Sequence, residues 1–88
     1  MEVKFLLDAK LDLEFWIKTG NKQVLKKIAQ LTESINETSY TGIGKPEPLK
    51  HSLAGLYSRR INKEHRLIYE IDKEKDLIVI HSLKGHYE

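Results

Sequence analysis

Apolar residues change their period along this chain, and each period names an element. Val3 to Leu7 is a short apolar run that predicts a first strand. Asp8 follows, with a carboxylate suited to accept from the free amides of a first helical turn, and is the expected cap. Leu11 and Phe15, with Leu13, Trp16 and Ile17 beside them, recur at helical spacing. Gly20 ends that helix, because glycine takes the left-handed cap conformation without a Cβ penalty. Asn21 is placed to cap a second helix. There Val24, Ile28, Leu31 and Ile35 recur at i, i+4, i+7 and i+11, one apolar stripe facing a core. Lys22, Lys26, Lys27 and Glu33 fall mainly off that stripe.

Residues Glu37–Pro48 hold two glycines and two prolines and read as a loop, stiffened at Pro46 and Pro48. Beyond it the period shortens to two. Leu56–Ile61 reads as one strand. Leu67, Tyr69 and Ile71, alternating with Arg66, Ile68 and Glu70, read as the next. Asn62-Lys63-Glu64-His65 is a connection of hairpin length, and Lys73-Glu74-Lys75-Asp76 a second polar turn. Leu77–Ile80 is continuously apolar, as expected of a central strand covered on both faces. The order predicts an α+β domain: two helices packed on one face of a small, twisted, mostly antiparallel sheet of four to five strands.

At 88 residues and 10.3 kDa the chain forms one domain, residues 1–88. The absence of cysteine excludes a disulfide framework, a thiol nucleophile and cysteine-ligated zinc. No apolar run approaches the roughly 20 residues that span a bilayer. The start, Met-Glu-Val-Lys, lacks the basic and long apolar regions of a signal peptide, so a cytoplasmic location is expected. Charge changes the picture more. Lys45, Lys50, Arg59, Arg60, Lys63 and Arg66 stand against Glu47 and Glu64, a net of +4 within residues 45–66 of a chain whose total is +2. All three arginines lie there, and arginine suits forked recognition of phosphate. The patch is expected of a polyanionic partner such as nucleic acid, and charge alone supports a solvated charged face equally well.

If Asn62–His65 joins Ile61 to Arg66, Arg59 lies opposite Ile68, and Arg59 and Arg66 share the open face of the sheet. Leu56, Leu67, Tyr69 and Ile71 then face the helices. A one-residue bulge puts Arg60 in place of Arg59. Glu47 is held between Pro46 and Pro48, which restricts where its carboxylate points. His86 and Tyr87 follow Lys84 and Gly85 beyond the last strand, and histidine exchanges protons near neutral pH. Taken singly these are a loop glutamate and a chain end. Together they form a metal-free acid–base set beside phosphate-binding arginines. His51, His65, His81 and His86 show no metal-ligand spacing, and Gly42-Ile-Gly44 lacks the rest of a nucleotide fingerprint, so neither metal nor cofactor is expected. Such a set suits RNA, which carries its own nucleophile in the 2′-hydroxyl.

Four segments carry a resemblance. Gly42-Ile-Gly-Lys-Pro-Glu-Pro-Leu-Lys-His51, Tyr57-Ser-Arg-Arg-Ile61, Glu64-His-Arg-Leu-Ile-Tyr69 and Lys84-Gly-His-Tyr87 resemble the YoeB/Txe family, toxins of bacterial type II toxin–antitoxin pairs within the wider RelE-like group. The resemblance implies a RelE/YoeB-like, microbial-RNase-like fold. It implies a ribosome-dependent messenger endoribonuclease that cuts the A-site codon and leaves a 2′,3′-cyclic phosphate. By motif, Glu47 matches the general base, Arg66 the transition-state arginine, His86 the general acid and Tyr87 the terminal aromatic. Lys50, Arg59 and Arg60 match basic positions that bind messenger or ribosomal RNA. The resemblance also implies a YefM/Axe-like antitoxin, the 70S ribosome and mRNA as partners, a homodimer, and no membrane. Glu88 after the His-Tyr pair, and Gly85 where a bulkier residue is common, depart from the pattern and bear on rate rather than reaction type. The alternatives are a non-catalytic module of the same fold that blocks a nucleic-acid machine, and an RNase that needs no ribosome.

Overall fold

The computed structural model describes residues 1–85. The elements run β1 (Glu2–Phe5), α1 (Leu7–Lys18), α2 (Lys22–Glu37), β2 (Glu47–Pro48), a 3-10 turn (His51–Leu53), β3 (Tyr57–Arg60), β4 (Arg66–Asp72) and β5 (Leu77–Ser82). The strands form one five-stranded sheet in the order β1-β5-β4-β3-β2. The β1–β5 pair is parallel, and the other three pairs are antiparallel.

The α2 stripe packs as its period dictates. Val24, Ile28, Leu31 and Ile35 are buried, and they share a core with Leu67, Tyr69, Ile78 and Ile80 from the sheet. Asn21 caps α2, its Oδ1 accepting from the amide of Val24 at 3.1 Å. Gly20 ends α1 at φ 67°. Asp8 departs from its expected role. Strand β1 stops at Phe5 and the helix starts at Leu7, with Leu6 at the cap position and no side-chain cap bond. Asp8 therefore lies inside the first turn, where its charge favours the helix dipole without capping it. The loop expected over residues 37–48 also changes at its end, because Glu47–Pro48 forms a short edge strand on β3.

Helix α1 is apolar on most of its circumference. Ala9 and Trp16 are buried, whereas Leu7, Leu11, Phe15 and Ile17 are exposed. Trp16 anchors the helix to the end of the sheet: its indole N–H donates to the carbonyl of Leu83 at 2.9 Å, and the Asp12 carboxylate accepts from the Leu83 amide at 2.9 Å.

The β3–β4 hairpin is one residue tighter than its composition suggests. The amide of Ile61 bonds the carbonyl of His65, and Asn62 Oδ1 accepts from the amides of Glu64 and His65, both at 2.9 Å. Closing the turn on Asn62 draws His65 into the ladder and shifts the register by one. Arg59 pairs with Leu67 and Arg60 with Arg66. A one-residue slip exchanges the faces of a strand. Arg59 therefore belongs to the core face and Arg60 to the open one.

Candidate active site and nucleic-acid interface

The open face of the sheet gathers three of the candidate groups, Glu47, Arg60 and Arg66. Glu47 on β2 pairs with Ser58 on β3, Ser58 with Ile68 on β4, and Arg60 with Arg66. Alternation puts the Glu47, Ser58, Arg60, Arg66 and Ile68 side chains on one side. Glu47 and Arg60 are exposed and Arg66 half-buried, while Ser58 and Ile68 make a buried floor between them. No ion pair joins Glu47 to either arginine among the described residues. Arg66 is held by its own hairpin: Nη1 donates to the carbonyls of Asn62 at 2.9 Å, His65 at 3.2 Å and Lys63 at 3.3 Å. Its backbone amide donates to the carbonyl of Gly85 at 2.7 Å, which brings the end of the described chain beside it. The Gly85 amide in turn donates to His65 Nδ1 at 2.9 Å. Gly85 adopts φ 76°, a conformation that favours glycine there over a bulkier residue. Lys50 is exposed just beyond β2. His86 and Tyr87 lie outside the described residues.

Arg59 is corrected from the RNA-binding set. It is 0% exposed, and all five of its N–H groups are engaged within the fold. Nε donates to the Tyr69 hydroxyl at 3.2 Å, Nη1 to Ser34 Oγ at 2.8 Å and the Ile43 carbonyl at 3.1 Å, and Nη2 to the carbonyls of Thr38 at 2.7 Å and Thr41 at 2.8 Å. None of these partners is a carboxylate. Burying a charge costs several kcal/mol, and a hydrogen bond to a charged group returns about 1.5–3 kcal/mol, so a complete set of five offsets the cost. Tyr69 completes the cage by donating from its hydroxyl to the Ser39 carbonyl at 2.6 Å. Burial pushes the Tyr69 phenol above its ordinary pKa, and the Arg59 hydrogen bond and charge partly oppose the rise.

The residues of this cage escape a reading by motif. Ser34, Thr38 and Thr41 look like the polar end of a helix and an ordinary loop. The signal available in the sequence is the density of hydroxyl residues between Ser34 and Thr41.

Fold and face together define a small α+β protein that offers a polar, basic sheet surface flanked by a carboxylate. The chain matches, over residues 5–87, the model of the YoeB-like toxin of bacterial type II toxin–antitoxin systems, and it belongs to that family. It is 48% identical over 73 residues to toxin YoeB of Synechocystis, covering 83% of each chain. Among solved structures, the YoeB/ParE toxin from Agrobacterium tumefaciens superimposes with a TM-score of 0.94 at 36% identity, covering 99% of this chain and 100% of that one. The YoeB–YefM complex from Staphylococcus aureus does so at 0.87 and 44% identity, covering 99% and 98%. The protein is thus a toxin of a type II pair, in a family of mRNA-cleaving endoribonucleases. No helix among the described residues is long and apolar enough to cross a membrane.

Proposed function

We propose that this toxin is a ribosome-dependent endoribonuclease that cuts messenger RNA in the A site by metal-free acid–base chemistry. Glu47 takes the proton of a 2′-hydroxyl, and O2′ attacks the adjacent phosphorus. Arg66 stabilises the negative charge growing on the phosphate oxygens. The P–O5′ bond breaks, and His86 gives its proton to the departing O5′. The products are a 2′,3′-cyclic phosphate and a 5′-hydroxyl. Tyr87 orients the RNA at the end of the site, and Lys50 and Arg60 hold phosphates. The observation that carries the reading is the sharing of one open sheet face by Glu47, Arg60 and Arg66, with the glutamate unpaired to either arginine.

The toxin acts in the cytoplasm under a YefM-like antitoxin that covers this face, and it forms a homodimer. The Staphylococcus aureus relative, solved both with YefM and as a dimer, supports the antitoxin partner and the dimer. The test is to mix the protein with ribosomes carrying a defined messenger and to map the RNA ends, with the same messenger alone as control. An A-site cut seen only with ribosomes is the expected result. Glu47→Gln lowers the single-turnover rate by about 10²–10⁴-fold, as does His86→Ala. Intact RNA in both tubes, from folded protein, overturns the proposal in favour of a non-catalytic module. Cutting of naked RNA at catalytic concentrations overturns its ribosome dependence.

A further inference from the structure

The cage around Arg59 lies on the opposite side of the sheet from the candidate site, yet it holds the segment that leads into Glu47. Thr38, Thr41 and Ile43 present their carbonyls to one guanidinium. Gly42 and Gly44 let the chain lie directly on it. A Cβ on Gly42 would stand 2.6 Å from Ser34 Oγ and 3.2 Å from Arg59 Nη1, and one on Gly44 would stand 2.6 Å from Leu31 Cδ2 and 3.1 Å from Arg59 Cβ. Both glycines have positive φ, 112° and 83°. The carbonyl of Gly44 then accepts from the backbone amide of Arg60, and Glu47 pairs with Ser58. Residues 44–47 are thus pinned to β3 at both ends, with Lys45 at φ 50° and Pro46 between the pins. A β2 of two residues has little pairing of its own to fix it.

We infer that Arg59 and Tyr69 are positioning residues for the Glu47 carboxylate: from beneath the sheet they fix the 38–44 loop, and through it the height and direction of β2. The inference rests on Glu47 being the base. It assigns Arg59 to geometry rather than to phosphate binding, which the burial of its whole side chain requires.

Tyr69→Phe keeps the ring and removes one acceptor and one donor. Arg59→Met keeps an unbranched apolar stem and removes all five donors, and Arg59→Lys keeps the charge without the fork. Two measurements apply to each folded variant, with Glu47→Gln alongside. The first is hydrogen exchange of the Arg60 amide, which needs neither ribosome nor RNA. The second is the kcat and KM of ribosome-dependent cleavage. We expect Arg60 exchange to rise by at least about tenfold in Tyr69→Phe, which loses the hydrogen bonds to both Arg59 and Ser39. We expect kcat to fall by a similar factor with KM within about twofold, and Arg59→Lys to behave like Arg59→Met. If Arg59→Met does not fold, Tyr69→Phe carries both measurements. Unchanged Arg60 exchange, or faster exchange with unchanged kcat, overturns the inference. So does restoration of kcat by Arg59→Lys, or a rise in KM alone, either of which makes Arg59 a phosphate ligand. Full activity of Glu47→Gln removes the base assignment, and the exchange measurement still reports on the cage.

Discussion

At the scale of single residues, register decides chemistry. Arg59 and Arg60 are adjacent and identical, and one turn residue separates their fates. The Asn62 side chain closes the hairpin on three residues, so Arg59 enters the core and Arg60 faces outward. The basic pair is legible in the sequence, and the choice between its members is not, because hairpin length depends on a side-chain bond that composition does not reveal. Glu47 is legible for a different reason: prolines on both sides restrict its backbone wherever the strand falls. Tyr69 gives the residue-scale prediction. Its folded pKa is raised above the ordinary 10.0, so its contribution to stability is fully present below about pH 10 and is lost as pH rises through the folded value. Denaturant midpoints measured from pH 8 upward should fall more steeply above about pH 10 in the wild type than in Tyr69→Phe. Equal slopes would remove Tyr69 from the alkaline response.

At the scale of elements, the two helices differ in how much their sequences disclose. Helix α2 has its apolar residues in one stripe, and the stripe is the core face. Helix α1 has apolar residues nearly all round, so its period predicts a helix without saying which side is buried. The tie of Trp16 and Asp12 to Leu83 settles that orientation, and it joins residues far apart in the chain, beyond the reach of any local pattern. The first cap shows the same limit. An aspartate near a helix start reads as a cap, yet Leu6 holds that position here. A pair of substitutions separates the two roles. Asn21→Ala removes an observed cap bond and should cost about 1 kcal/mol. Asp8→Ala removes only a charge–dipole attraction and should cost about 0.3–0.5 kcal/mol, less at high salt. Urea midpoints at low and high ionic strength measure both. A loss on Asp8→Ala as large as on Asn21→Ala would restore the cap reading.

At the scale of the molecule, the sheet separates two sets of groups: helices and the Arg59 cage on one face, Glu47, Arg60 and Arg66 on the other. Removing Arg59 from the surface leaves Lys45, Lys50, Arg60, Lys63 and Arg66 as the basic groups of the 45–66 segment that solvent reaches. If each holds one phosphate of a single strand, log K against log salt has a slope of about −3.5. Titrating a short RNA at several salt concentrations should give a slope no steeper than that, and Arg60→Ala should reduce it by about 0.7. A much steeper slope would mean a larger phosphate surface than this one. The family fold and the basic segment were readable from residue order, whereas the division between faces needed the register.

Trp16 is the single tryptophan of the chain, and it is buried with its ring edge-on to His65 at 4.9 Å and its N–H on Leu83. His65 in turn accepts from Gly85, beside Arg66. The toxin thus carries its own fluorophore at the point where the last strand approaches the candidate site. Binding of an antitoxin or a ribosome that disturbs residues 83–85 should alter the wavelength and intensity of its emission, with no label attached.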